Sequence, residues 1–256
     1  MGQETENILG RKIFFLYPQA IVQNNIIAEL IQQEFETYII RDEKKLRRLF
    51  KKYPDSIVFV NLYDGIAEKD WEAWIRGVMA DTELAGVDIG IVVCGDDEAL
   101  RRKYLSNVKV RCGYTVVKTD INLCIRQLMD ILKDANAKGR RKYIRANTSQ
   151  ESNITVNLPV RGTFITGTIL AISVAGFSCV FQDDPGLTKN SLFQDLQLKL
   201  QSVLIKAEGI VFGAREDGEK KAYVLLFTKR MDPDARARIR KFIQSNLQAK
   251  IYAELN

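Results

Sequence analysis

GRRKYIRA, residues 139–146, sets three arginines and one lysine within six consecutive positions. It stands where the spacing of apolar residues changes, and that change divides the chain. Upstream, short apolar runs are followed by apolar residues recurring every three or four positions, as helices after strands require; from Asn153 onward apolar and polar residues alternate, as half-buried strands require. The stretch DANAKGRR (Asp134–Arg141) closes the last upstream helix, with Gly139 expected as its C-terminal cap. The expected organisation is an α/β domain over residues 1–135, an arginine-rich linker over 136–153 and a β domain over 154–256.

In the upstream half, KIFFLY (Lys12–Tyr17), TYII (Thr37–Ile40), IVFVNL (Ile57–Leu62), VDIGIVVC (Val87–Cys94) and YTVV (Tyr114–Val117) read as buried strands. Helical stripes follow them: Val22, Ile26 and Leu30; Leu46, Leu49 and Phe50; Trp71, Trp74 and Val78; a helix near Asp97–Leu105; and Cys124, Leu128 and Leu132 behind Asp120 as N-cap. Such βα units imply a parallel sheet covered on both faces. Trp71 and Trp74 are expected as core anchors.

Downstream, Ile154–Val160, Phe164–Ile172, Phe177–Phe181, Leu196–Leu200, Val203–Gly213 and Tyr223–Phe227 read as consecutive strands, punctuated by turns at Arg161-Gly162, Asp184-Pro185-Gly186 and Glu216-Asp217-Gly218. About six such strands imply a small antiparallel barrel. Asp232 as N-cap and Pro233 at the first helical position open a final helix whose Ile239, Phe242, Ile243 and Leu247 line one face, suited to covering a barrel end. Its basic RARIRK (Arg236–Lys241) is expected on the solvated side.

Composition narrows the chemistry. The 256 residues contain no histidine, and the four cysteines, Cys94, Cys112, Cys124 and Cys179, have no CxxC spacing. The usual zinc sites, a Ser-His-Asp triad and an imidazole base are thereby excluded, and the thiols are expected reduced and buried. There is no P-loop or dinucleotide fingerprint. The N-terminal MGQETENILGRK lacks the cationic head and apolar stretch of a secretion signal, and no run reaches the length of a membrane span, so a cytoplasmic location is expected. The net charge of +6 is lopsided: residues 1–138 carry 20 Lys+Arg against 21 Asp+Glu, whereas residues 139–256 carry 18 against 11. An anionic partner belongs to the second half.

The upstream order resembles the receiver domain of bacterial response regulators over about residues 10–135. A working receiver needs carboxylates after its first strand, an aspartate ending its third and a lysine after its fifth. Here the first strand ends Tyr17-Pro18-Gln19, the third ends near Asn61, and Lys118 alone matches. The resemblance implies a pseudo-receiver without metal-dependent phosphotransfer, since a hard cation finds no carboxylate cluster. Asp64, three residues past the acceptor position, reads as a loop aspartate.

Downstream, the RRxxxR of Arg140, Arg141 and Arg145, then a strand ending in SxxG (Ser173, Gly176), then the remaining strands and a terminal helix, resemble the PilZ domain over about residues 139–250. The resemblance implies a six-stranded antiparallel PilZ-type barrel and a receptor for the second messenger cyclic di-GMP, with Arg140, Arg141, Arg145, Ser173 and Gly176 as ligand-binding residues. Arginine suits that ligand on its own chemistry: its planar fork pairs with phosphate oxygens, stacks on a purine and reaches the guanine O6/N7 edge. Where the family pattern has Asp or Asn before xSxxG, this chain has Ala171. Alanine accepts nothing from guanine N1–H or N2–H₂, and Asn157 or Asn153 on a neighbouring strand are the replacements to look for.

The expectation is a non-catalytic receptor without cofactor or metal, in which cyclic di-GMP changes a surface for an unidentified protein partner, as in motility or envelope functions. Nucleic acid is not the expected partner: in the terminal helix's RARIRK (Arg236–Lys241) aromatic residues do not interleave with the charges. The alternative is a degenerate adaptor that keeps the barrel, loses the nucleotide with Ala171 and acts as an interaction module.

Overall fold

The computed structural model describes residues 10–118, 120–160, 162–218 and 220–255. The chain packs as two compact units, Met1–Lys142 with Gln248–Asn256, and Tyr143–Leu247.

In the first unit, β1 (Lys12–Leu16), β2 (Thr37–Ile40), β3 (Ser56–Val60), β4 (Asp88–Val93) and β5 (Tyr114–Val116) form a parallel sheet in the order β2-β1-β3-β4-β5. This is a doubly wound order, and the strands are β-branched, aromatic and nearly all buried because helices cover both faces. The first connection is a wide π-type turn, Val22–Ile27, running into α1 (Ala28–Gln32); it still buries Val22, Ile26 and Leu30. Then come α2 (Glu43–Lys52), α3 (Glu68–Met79), α4 (Glu98–Arg102) with a π-type continuation over Lys103–Val108, and α5 (Ile121–Asp134). Asp42, Asp97 and Asp120 cap α2, α4 and α5, each accepting from a backbone N–H of the first turn.

Arg11 clamps the N-terminal end of this sheet. Its buried guanidinium donates to the carbonyls of Ser56, Gly86 and Ala135 at 3.0, 2.9 and 2.9 Å and pairs with Asp88 at 2.7 Å. A charge so buried is tolerable because nearly every donor is used.

α5 stops earlier than the sequence suggests. Asn136, not Gly139, takes the left-handed conformation (φ 50°), while Asn136 N–H donates to Lys133 O and Ala137 N–H to Leu132 O. Those two bonds make a Schellman motif, for which asparagine's tolerance of positive φ suffices.

In the second unit, β7 (Ile154–Val160), β8 (Thr163–Ser173), β9 (Gly176–Phe181), β10 (Leu192–Leu200), β11 (Val203–Asp217) and β12 (Lys220–Phe227) form an antiparallel barrel, closed by the β8–β9 pairing. Inward residues such as Ile169, Ile172, Phe177, Leu198, Ile205, Val211 and Leu225 make one core, and α6 (Pro233–Leu255) adds Ala235, Ile239, Phe242 and Ile243 to it. A two-residue strand, β6 (Ala146–Asn147), lies along β8 beyond the end of β7.

The last turns of α6 are counted with the first unit. There Gln248 matches the free edge of β2: its Oε1 accepts from Ile39 N–H at 2.9 Å and its Nε2 donates to Ile39 O at 3.0 Å. One side chain thus replaces a neighbouring strand at an edge that would otherwise be open.

Candidate functional site

The carboxyl ends of the parallel strands hold aromatic and amide side chains where phosphotransfer would need acids. Asn61, 2% exposed, donates through Nδ2 to Tyr17 O at 2.9 Å. Tyr17 donates to Glu43 Oε2 at 3.1 Å and packs edge-on against Trp71; burial first, then Glu43, push its hydroxyl up to about 12. Asp64 is exposed, accepts its own neighbour's Gly65 N–H at 2.7 Å and gives its carbonyl to the Trp71 indole at 3.0 Å. Lys118 is paired with Asp96 at 2.6 Å, an ion pair that holds the Asp96 carboxyl below its ordinary value. Among the described residues no cluster of three or more metal-ligating side chains occurs. Trp71 is fully buried and Trp74 meets it at 87°, as core anchors do.

The barrel unit gathers a different set. β6 is fixed to β8 by the register Ala146↔Ile172 and Asn147↔Ala171. Ala146 is fully buried in the barrel core, and buried Thr148 donates its N–H to Leu170 O at 2.8 Å and its hydroxyl to Ile169 O at 2.6 Å. These bonds bridge the irregularity between Ile169 and Ala171, the bulge that turns Ala171 to the outer face. With Ala146 inward, period-two alternation puts Arg145 and Asn147 outward, and both are exposed. Carrying the register back one residue sets Arg145 beside Ser173.

Ser173 and Gly176 bound the tight turn between β8 and β9. Ser173 is 5% exposed; its Oγ donates to Gly176 O at 3.2 Å and accepts from Ala175 N–H at 3.3 Å. The hydroxyl therefore staples its own turn. Gly176 is not in the left-handed region: a Cβ there would collide with the Leu225 carbonyl oxygen, so glycine lets β12 lie close to β9. Arg236 secures the same turn, donating to Val174 O at 3.1 Å and Thr228 O at 3.4 Å. It is half-buried rather than on a solvated face, because α6 packs this first turn against the β8–β9 loop.

Of the five residues expected from the sequence, Arg145, Ser173 and Gly176 lie together in the barrel unit. Arg140 and Arg141 are exposed and are counted with the first unit. Asn157 lies far from Ala171: it pairs with Thr166, five residues back along β8, or roughly 16 Å at strand rise. Sequence reasoning passed over Asn147. Its signal was available, two residues past Arg145 and so on the same face, but a two-residue strand shows no alternation.

The second unit is a closed antiparallel barrel whose added edge strand follows an arginine-rich segment. The chain is similar, over its C-terminal portion, to the PilZ domain with c-di-GMP of YcgR from Escherichia coli, at 12% identity, 44% of this chain, 96% of that one and a TM-score of 0.40. It is also similar to the K. pneumonia MrkH–c-di-GMP complex (20% identity, TM-score 0.39), covering 44% of this chain and 56% of that one. A third similar structure is the Bacillus subtilis inhibitor of motility MotI (16%, TM-score 0.37), with 44% and 53% covered. The match thus spans nearly all of the isolated domain and little more than half of the two longer chains. No family model and no curated protein matches the sequence.

Proposed function

We propose that the chain is a non-catalytic cyclic di-GMP receptor. Arg140, Arg141 and Arg145 grip the ligand's phosphates and guanines, and Ser173 and Gly176 shape the rim of the barrel face on which it rests. The observation that carries this reading is the zipping of β6 onto β8: it sets Arg145 on the outer face beside the SxxG turn. A guanidinium so placed, with two more exposed arginines four and five residues upstream, can pair with both phosphodiesters of a folded dinucleotide. Binding orders the 136–153 linker, and the output is a changed surface for a protein partner, consistent with a pseudo-receiver over 1–135 that has no phosphotransfer chemistry of its own. The reading places the protein in the cytoplasm, with motility or envelope machinery as the partner class.

A degenerate adaptor is the second reading. It is favoured by Ala171 and by a Ser173 hydroxyl already engaged within its turn. Titration calorimetry with cyclic di-GMP separates the two, with Arg141→Ala and Arg145→Ala variants and GTP as control. Saturable heat that both variants lose supports the receptor; no binding up to about 100 μM, weaker than roughly −5.5 kcal/mol, supports the adaptor.

A further inference from the structure

Resting on the receptor reading, we infer that Asn147 supplies the guanine-reading oxygen that Ala171 lacks. The two residues are cross-strand partners on the outer face. Side chains directly opposite in an antiparallel pair start about 5 Å apart, within the reach of one carboxamide. A polar head on Asn147 therefore serves the space that a longer side chain at position 171 would serve. Ala171 itself, ending at Cβ, brings no polar group to that face.

The neighbours of the pair suit a guanine. Arg145 lies on the same face of the same strand, roughly 6.6 Å back along it, so one segment carries both a cation for phosphate or the O6/N7 edge and an oxygen for N1–H and N2–H₂. On the other side of Ala171 its β9 partner is half-buried Ser178, a second short polar residue. Asn147 Oδ1 accepts from Ser149 N–H at 3.1 Å and Ser149 Oγ–H at 2.8 Å. The first bond fixes the carboxamide; when the Ser149 hydroxyl rotates to donate elsewhere, the lone pair of Asn147 Oδ1 that it occupied accepts from the base. Adenine presents a lone pair at N1 where guanine presents N–H, so this oxygen favours guanine. It makes Asn147 a specificity-determining residue, distinct from the phosphate-binding arginines.

Calorimetry on the full chain with cyclic di-GMP and cyclic di-AMP tests this. Asn147→Ala is expected to weaken cyclic di-GMP about tenfold or more and to leave cyclic di-AMP nearly unchanged. Asn147→Asp keeps an acceptor for both Ser149 and guanine and is expected to retain the preference, and Ala171→Asp added to Asn147→Ala is expected to restore it. Circular dichroism melts check that each variant folds. If the parent protein binds cyclic di-GMP and Asn147→Ala binds it equally well, Asn147 does not read the base while the receptor reading stands. If the parent binds neither dinucleotide, the receptor reading itself falls and this inference with it.

Discussion

Gly176 and Ser173 show how one short motif divides into separate physical jobs. The sequence suggests a hydroxyl and an open backbone offered to a ligand. The structure spends the hydroxyl on the turn and the missing Cβ on the approach of β12. Gly176→Ala is accordingly expected to lower stability by about 1–3 kcal/mol through overpacking, read as a lower urea midpoint, and the outward side chains of β6 are not its targets. Tyr17 carries a second residue-scale prediction. An unfolded tyrosine ionises near about 10, whereas Tyr17 is held up to about 12 by burial and Glu43. Its neutral hydroxyl therefore stabilises the fold fully below pH 10, and that contribution is lost as pH rises toward 12. Denaturant midpoints measured across that window are expected to fall, and to fall less in Tyr17→Phe.

Among the elements, legibility follows length. Strands such as Ile57–Val60 and Tyr223–Phe227 are plain in the sequence because β-branched and aromatic residues crowd them, and Pro233 marks the start of α6. β6 is invisible for the opposite reason: two residues carry no period, and it pairs with β8 just past the irregularity between Ile169 and Ala171 in the β8–β9 ladder. The cap of α5 falls on Asn136 because the Schellman bonds close there, three residues before the glycine that composition favours. RARIRK looks like a solvated face until the loop it meets is known. Arg236 is bound to the β8–β9 loop through Val174 O and to the segment after β12 through Thr228 O, each bond of the kind worth about 1.5–3 kcal/mol when charge-assisted. Arg236→Met keeps the apolar stem and loses those bonds. Faster amide exchange is expected in residues 173–176, with slight change elsewhere in the barrel; unchanged exchange there would show that the turn holds itself.

For the whole molecule, the sequence shows the change of period and the imbalance of charge toward the second half, and the fold gathers into two compact units. The return of the α6 C-terminus to the first unit was not readable, because its contacts with Ile39 are made by Gln248 and Tyr252, polar side chains without a helical signature of their own. The candidate site was legible as a set of residue types and only partly as a surface: the arginines were named by spacing, while the position of Asn147 opposite Ala171 required the register of β6 on β8. The central claim is that this segment and the adjoining barrel face hold cyclic di-GMP. Hydrogen exchange read by mass spectrometry, with and without saturating ligand, tests it most directly. Protection is predicted in residues 139–149 and 171–178 together, lost in Arg145→Ala. Unchanged exchange in both stretches, or protection confined to another part of the chain, would contradict it.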